Sequence, residues 1–198
     1  LSSVEITNIP DRLEVASFAI LGAITQSNLT ITNIITHHLG VFWKYLDMVG
    51  VKYHLAHDYL EIIPSDHEYQ ATDIKTHEYP GFVTDFQAPF TVLLTQAKGL
   101  SMVHETIFDG RLFYTDTLNR MGAQIIMCDP YRVVINGASQ LYGQKIESPD
   151  VRAAMAFLLA ALVAKRSSVI YNIHHIDRGY ELIEKRLQKV GFDITRYE

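Results

Sequence analysis

The apolar and polar positions of the chain follow one order three times: a strand, a mostly apolar helix, a second strand, an amphipathic helix, and a final strand or pair of strands. Each amphipathic helix is predicted to end at a glycine, and these glycines, Gly50, Gly122 and Gly191, are roughly 70 residues apart. A unit that recurs at a fixed spacing sets the architecture of a chain. We therefore predict a single domain of three repeats, at about residues 1–71, 72–139 and 140–198.

The first helix of each repeat is apolar on all sides. These helices are predicted at Arg12–Ile24, at 85–97 and at 150–164, and a helix without a polar face is typical of a protein core. The strand-like runs alternate between apolar and polar residues. The pattern predicts an α/β fold of three pseudo-symmetric βαβαββ-like repeats, in which the apolar helices lie inside and the sheets and amphipathic helices surround them.

Several element boundaries follow from the same pattern. The chain is expected to start with a strand at 4–8 and to end with a strand at 192–197, after a helix at 179–190. Thr84 or Asp85 is expected to be the N-cap of the second apolar helix, because either side chain can accept a hydrogen bond from a free backbone N–H.

The composition is that of an ordinary globular protein, with 48% hydrophobic and 20% charged residues. The formal net charge of −5 does not favour nucleic-acid binding, which needs a basic surface. The longest apolar run, 153–164, is shorter than the roughly 20 residues that span a membrane, so it is interpreted as core. We expect neither a nucleic-acid nor a membrane partner. The chain begins with Leu1 and is expected to be part of a longer protein.

The single cysteine, Cys128, cannot form an internal disulfide bond and is expected to be a buried, inert thiol in a reducing compartment. Nine histidines raise the question of a metal site. However, the adjacent pairs at 37–38 and 174–175 diverge on a strand or a helix, and no metal-ligand spacing is present. Neither a metal site nor a glycine-rich phosphate loop is predicted.

Charged and polar residues stand at the start of all three apolar helices, and they are Asp11, Arg12, Thr84, Asp85, Asp150 and Arg152. Pseudo-symmetry would bring these helix N-termini to one end of the domain, where free N–H groups and partial positive charge suit anions. Arg111 and Arg178, in loops between strands and helices, would add donors there. Helix capping and salt bridges between repeats explain the same residues, so both interpretations stay open.

Five segments, in order along the whole chain, resemble one enzyme family. They are IPDRLE at 9–14, GFVTDFQA at 81–88, ETIFDGR at 105–111, RMGA at 120–123 and HIDRGYE at 175–181. The resemblance is to the C-terminal half of the UDP-N-acetylglucosamine 1-carboxyvinyltransferases, which are enolpyruvyl transferases. It implies an inside-out α/β barrel and a cytoplasmic enzyme without a cofactor. That enzyme would move enolpyruvyl from phosphoenolpyruvate to the 3-hydroxyl of UDP-N-acetylglucosamine, the first committed step of peptidoglycan synthesis.

The resemblance also implies roles for the residues that match the family's motifs. Asp85 would be the general base on the sugar 3-hydroxyl, Arg178 would bind phosphoenolpyruvate, and Asp150 would lie near the reacting enolpyruvyl carbon. The other implied substrate-binding residues would border the UDP-sugar or add positive charge near phosphoenolpyruvate, and they are Thr84, Ile107, Phe108, Arg111 and Arg152.

Nothing in the chain resembles the N-terminal half of that family, which carries its reactive cysteine or aspartate and part of the phosphoenolpyruvate site. With this partner domain absent, the chain alone is expected to lack a complete active site. Two alternatives are a non-catalytic, half-length module that binds a UDP-sugar, and an enzyme like 5-enolpyruvylshikimate-3-phosphate synthase. The segment DRGYE at 177–181 argues against the second.

Overall fold

The computed structural model describes residues 3–197. Its helices are α1 (Arg12–Ile24), α2 (Gly40–Val49, preceded by a 3-10 helix at Thr36–Leu39), α3 (Thr84–Thr95), α4 (Thr115–Arg120), α5 (Val151–Val163), α6 (His174–Asp177) and α7 (Ile183–Lys189). Its strands are β1 (Leu29–Thr32), β2 (Lys52–Leu55), β3 (Tyr59–Ile63), β4 (Ile74–Lys75), β5 (Gly99–His104), β6 (Ile125–Asp129), β7 (Arg132–Gly137), β8 (Lys145–Glu147) and β9 (Val169–Tyr171).

Three helices, α1, α3 and α5, form the centre of the molecule and pack against one another. All residues from Val15 to Ile24 of α1 are buried, as are residues 86–95 of α3 and 153–160 of α5. Because these segments carry few polar side chains, removal of their apolar surface from water stabilises the interior position. Among residues 3–197, no helix has the length and apolarity needed to cross a membrane.

Three sheets surround the buried helices. The first sheet has the antiparallel order β1-β3-β2, and the second has the order β4-β5-β7-β6, in which only the pairing of β4 with β5 is parallel. The third is the parallel pair β8-β9. Helix α1 packs against the first sheet and α3 against the second. The predicted fold, with apolar helices inside and sheets outside, is confirmed.

The three glycines of the repeated pattern share one backbone conformation. Gly50, Gly122 and Gly191 have φ values of +87°, +108° and +95°, in a region that glycine reaches without the steric cost of a Cβ atom. The N–H of Gly50 donates to the carbonyl oxygens of Leu46 and Asp47 and so closes the last turn of α2. Its predicted role as a left-handed helix cap is confirmed.

The strand predicted at the start of the chain is wrong. Residues 4–8 form no strand, and the side chains of Val4 and Ile6 are 76% and 82% exposed. Alternation of apolar and polar residues produces a strand only where a neighbouring strand completes the backbone hydrogen bonds. No strand of the described chain pairs with this segment.

The elements predicted at the end of the chain are also partly wrong. The helix expected at 179–190 is shorter, because Leu182 has a φ of +45° and a right-handed helix cannot continue through it. The strand expected at 192–197 does not form. Side chains hold that segment instead, since Arg196 forms ion pairs with the carboxylates of Asp177 and Glu184.

Neither Thr84 nor Asp85 is the N-cap of α3. Val83 occupies that position and makes no capping hydrogen bond. The two polar side chains have other partners, because the Thr84 hydroxyl donates to Glu105 and the Asp85 carboxylate accepts from two arginines. The predicted cap failed because tertiary partners compete with local backbone N–H groups for the same oxygens.

Cys128 is exposed and not buried, so that prediction is wrong. It lies in β6, an edge strand of the second sheet. The pairing of β6 with β7 shifts between Met127 and Asp129, which leaves Cys128 without a partner residue. The bulge takes Cys128 out of the strand pairing, and its side chain is exposed at the edge of the sheet.

Two contacts join α1 of the first repeat to the last part of the chain. The Ser17 hydroxyl lies 2.7 Å from the Tyr180 hydroxyl in a buried position. Arg186 binds the carboxylate of Glu14, with its Nη1 2.6 Å from Oε1. Burial, together with nearby carboxylates that include Asp11, raises the pKa of Tyr180 to about 12. At neutral pH the Tyr180 hydroxyl therefore keeps its proton.

Stability should fall at high pH in a way that depends on Tyr180. A tyrosine in the unfolded chain ionises near pH 10, whereas Tyr180 in the fold holds its proton to about pH 12. This contribution to the free energy of unfolding is complete below about pH 10 and is lost as the pH rises towards 12. Denaturant titrations from pH 8 to 11.5 should give a smaller loss for Tyr180→Phe than for the wild type. The exposed control Tyr197→Phe should match the wild type, and equal losses for all three proteins would contradict the burial of Tyr180.

Replacing Leu159 with Asp should destabilise the fold by several kcal/mol. Leu159 is fully buried in α5, and an isolated charge in the core has no partner to offset its desolvation. The matched change Leu100→Asp, at an exposed position of β5, should cost less than about 1 kcal/mol. Thermal melting of both variants tests the placement, which fails if the two melt at similar temperatures.

Candidate active site

The N-termini of α1, α3 and α5 meet at one end of the domain, as the pseudo-symmetric pattern predicts. An open cleft of about 330 Å³ lies there. Its lining includes residues from the start of each buried helix and from the segment after α6, among them Asp11, Asp85, Arg152, Arg178 and Tyr180.

Asp85 lies between two arginines that come from other repeats or loops. Its Oδ1 accepts from Arg152 Nε and lies 3.4 Å from Arg111 Nη1. The side chains of Asp85 and Arg111 are only 25% and 15% exposed. The Arg111 guanidinium also lies over the Phe108 ring, 4.5 Å from its centroid. These contacts bring the predicted residues Asp85, Arg111, Arg152 and Phe108 into one group.

Arg178 lies on the same cleft but is not part of the Asp85 group. Its side chain is exposed, and within residues 3–197 it forms no ion pair. The neighbouring Tyr180 fixes the segment by its buried contact with Ser17 of α1. A guanidinium without a carboxylate partner keeps all its donors for a ligand, and a planar fork of donors suits a carboxylate or a phosphate.

Asp150 is the N-cap of α5. Its Oδ1 accepts from the backbone N–H groups of Arg152, at 2.8 Å, and Ala153, at 3.1 Å. Asp11 caps α1 in the same way, through the N–H of Leu13 at 2.7 Å. Simple capping therefore accounts for these two aspartates, as one interpretation of the sequence held. It does not account for Asp85, whose carboxylate binds side chains from elsewhere in the chain.

Ile107, Phe108 and Thr84 converge on Glu105, a residue that the sequence analysis did not single out. The backbone N–H groups of Ile107 and Phe108 and the Thr84 hydroxyl all donate to its carboxylate. The N–H groups of Ile107 and Phe108 are therefore occupied and not open to a ligand. Glu105 was missed because a glutamate beside a strand gives no sign of burial, and Tyr180 was missed because its role depends on Ser17, far away in the chain.

The charges of the cleft favour an anionic ligand. Arg152 and Arg178 line the cleft, and Arg111 contacts Asp85, whereas Asp150 and Asp11 each have one carboxylate oxygen on helix N–H groups. Asp85 is the remaining carboxylate and can accept a proton. The arrangement combines anion binding with a group capable of general-base chemistry.

A second cavity, of about 230 Å³, lies beside the 3-10 helix and is lined mainly by apolar and aromatic residues, together with His37 and His38. No carboxylate or guanidinium belongs to its lining among the described residues. Within residues 3–197, no group of three or more His, Cys, Asp or Glu side chains is arranged to hold a metal ion. The charged cleft is therefore the better candidate for chemistry.

The chain is similar to curated proteins named UDP-N-acetylglucosamine 1-carboxyvinyltransferase. It is 40% identical to that of Campylobacter lari over 190 residues, which cover 96% of this chain and 45% of the relative. It is also 40% identical to that of Helicobacter acinonychis over 196 residues, which cover 99% of this chain and 46% of the relative. The chain thus spans about half the length of the curated relatives it matches.

Solved structures show the same fold. The enolpyruvyl transferase NikO from Streptomyces tendae matches with a TM-score of 0.90 and 26% identity, over 96% of this chain and 45% of that one. The EPSP synthase from Acinetobacter baumannii matches with a TM-score of 0.68 and 16% identity, over 97% of this chain and 44% of that one, which bears on the fold alone. The family described as EPSP synthase (3-phosphoshikimate 1-carboxyvinyltransferase) matches residues 1–187. The chain therefore belongs to this family of enolpyruvyl transferases.

Proposed function

We propose that this chain is one half of a UDP-N-acetylglucosamine 1-carboxyvinyltransferase, which moves enolpyruvyl from phosphoenolpyruvate to the sugar 3-hydroxyl. The observation that carries the proposal is a half-buried carboxylate, Asp85, held between Arg111 and Arg152 in a cleft that also contains Arg178. The names of relatives about 40% identical support the choice of substrates. By the same argument, the protein would act in peptidoglycan synthesis, and thus in cell-wall growth and division, in the cytoplasm.

In the proposed reaction, Asp85 takes the proton of the sugar 3-hydroxyl as the hydroxyl oxygen bonds to C2 of phosphoenolpyruvate, while C3 gains a proton from a general acid that we assign to the second domain. Loss of phosphate from C2 and of a proton from C3 then restores the enol double bond. A carboxylate within hydrogen-bond reach of the hydroxyl can act in this way. The oxygen of Asp85 is shared with Arg111 and Arg152. Anionic substrate groups would compete for these guanidinium donors and release Asp85 to the hydroxyl. This reaction requires no cofactor.

The arginines would stabilise the charge that develops on the leaving phosphate. Arg178, which is free of ion pairs within the described chain, is assigned to phosphoenolpyruvate. Arg111 and Arg152 would bind a second anionic group or the developing charge, because donors fixed in advance lower the energy of the transition state.

Four further residues are assigned on the same basis. Asp150 has one carboxylate oxygen on the N–H groups of α5, and its other oxygen is available to the reacting carbon. The Ile107 and Phe108 carbonyl oxygens would border the UDP-sugar, since their N–H groups are occupied by Glu105. Thr84 precedes Asp85, and its hydroxyl binds the same Glu105 carboxylate.

The remaining half of the site would come from a second domain of the kind that makes up the rest of the relatives. The charged cleft is open to solvent, and the chain spans only about half of the proteins it matches. We assign the missing wall, and the remaining phosphoenolpyruvate contacts, to that domain.

The 198-residue chain alone should not release phosphate from phosphoenolpyruvate and UDP-N-acetylglucosamine. Joined to the remaining half of the Campylobacter lari relative in a two-domain protein, it should do so. A phosphate-release assay with and without enzyme measures both. Turnover by the pure isolated chain would refute the need for a second domain. Turnover with shikimate 3-phosphate but not with the UDP-sugar would favour the related synthase, and sugar binding without turnover would favour a binding module.

In that two-domain protein, Asp85→Asn should lower turnover by about 100-fold or more, because an amide cannot take the hydroxyl proton. Arg178→Ala should mainly reduce kcat/KM for phosphoenolpyruvate, by about 10- to 100-fold, because it removes a forked anion donor. Both variants should melt close to the wild type. Matched controls are Asp66→Asn and Arg132→Ala, which alter exposed ion pairs on other parts of the surface.

Normal kinetics in these variants would mean that Asp85 and Arg178 have no part in catalysis. If Asp85→Asn keeps normal turnover but lowers the melting temperature, Asp85 serves only to tie Arg111 and Arg152 together. If Arg178→Ala leaves kcat/KM for phosphoenolpyruvate at the level of Arg132→Ala, Arg178 is an ordinary surface residue.

A further inference from the structure

Glu105 is a fully buried carboxylate without a cationic partner in the part of the chain that the structure describes. It follows β5 directly and accepts four hydrogen bonds. Its Oε1 accepts from the N–H groups of Ile107, at 2.8 Å, and Phe108, at 3.2 Å, and from the hydroxyl of Thr76, at 3.1 Å. Its Oε2 accepts from the hydroxyl of Thr84 at 2.8 Å.

These four donors explain how a charge is kept in the interior. A buried carboxylate is costly unless hydrogen bonds replace its hydration. Hydrogen bonds to an ionised acceptor are shorter and stronger than neutral ones. Glu105 therefore forms a rigid junction, because movement of any one donor would leave part of the charge without compensation.

Glu105 connects two segments of the chain: the start of α3, which carries Asp85, and the turn at Ile107 and Phe108, which contacts Arg111. On one side, Oε2 holds Thr84, the first residue of α3 and the neighbour of Asp85. On the other side, Oε1 holds the turn at Ile107 and Phe108. The Phe108 ring lies under the Arg111 guanidinium, which in turn contacts Asp85. One side chain therefore reaches both members of the Asp85–Arg111 pair through separate connections.

We propose that Glu105 is a positioning residue that fixes Asp85 relative to Arg111, and so sets the orientation of the general base towards the sugar hydroxyl. The inference rests on the proposed function for its catalytic part, and on the hydrogen bonds alone for its structural part. Glu105 itself does not contact the substrates. Its carboxylate acts through Thr84 and through the turn at Ile107 and Phe108.

Glu105→Gln is the informative change because it keeps the shape of the side chain but removes one acceptor. The amide NH2 would meet either the N–H donors of the turn or the hydroxyl of Thr84, so one of the two connections is lost or must reverse. Ser101→Ala is the matched control. Ser101 is also buried, lies in β5, and accepts a single hydrogen bond from the N–H of Thr72 at 3.0 Å.

In the two-domain protein, Glu105→Gln should lower kcat by about tenfold or more while KM for either substrate changes less than about threefold, because misplacement of a base acts on the transition state. Ser101→Ala should keep kcat within about twofold, even if the melting temperatures of both variants fall by similar amounts.

Thr84→Val should also lower kcat. The fold-loss of kcat in the double variant Thr84→Val/Glu105→Gln should be smaller than the product of the two single fold-losses, since both changes break the hydrogen bond between Thr84 and Glu105. Normal kcat in Glu105→Gln, or losses that multiply, would overturn the proposal.

The hydrogen bonds of Glu105 can be tested by amide hydrogen exchange on the 198-residue chain without the second domain. In Glu105→Ala, the amide hydrogens of Ile107 and Phe108 should exchange at least about tenfold faster than in the wild type, because their acceptor is gone. Ser101→Ala should leave these two amides unchanged. Unchanged exchange in Glu105→Ala would refute the junction itself. If exchange rises but the wild-type two-domain protein shows no turnover, the proposed function fails and the catalytic role of Glu105 fails with it, while the junction stands.

Discussion

The structure depends on one constraint: three helices with few polar side chains have to be buried on every side. A helix with one polar face can cover a sheet, but α1, α3 and α5 need neighbours all round, so they pack on one another and the sheets take the outside. Three helices of similar direction at the centre bring their N-termini to one end of the molecule. The position of the charged cleft is thus a consequence of hydrophobic burial, before any functional residue is considered.

The same geometry gives the three helix ends different tasks. Each of the three exposes N–H groups that attract negative charge, and in α1 and α5 an aspartate, Asp11 or Asp150, satisfies them locally. Helix α3 begins at Thr84 without a side-chain cap, and its first polar side chains turn to Glu105 and to two arginines. The one buried helix that lacks a side-chain cap is therefore the one whose first residues contact the charged groups of the cleft. Such an exception is expected where a functional site competes with helix capping.

Sequence periodicity was sufficient for features that depend on local pattern. The buried helices and the left-handed cap at Gly50 were predicted, because an apolar run without a polar face and a glycine after an amphipathic helix are both local signals. The strand predicted at 4–8 was wrong, because a strand needs a partner that the pattern cannot supply. Cys128 was misplaced because exposure at a sheet edge depends on strand order. Glu105 was missed because its burial depends on donors from α3 and from a turn of its own loop.

Arg152 and Arg178 have different surroundings in the same cleft. Arg152 is paired with Asp85, whereas Arg178 stands exposed on the same cleft without a carboxylate partner among the described residues. In contact with water, an exposed guanidinium attracts an anion weakly, because the high dielectric and salt screen the interaction. A second wall that excludes water would strengthen the attraction of all three arginines for an anion at once. The anion that then binds Arg152 weakens its hold on Asp85, so closure of the cleft and release of the carboxylate would be two results of one electrostatic change.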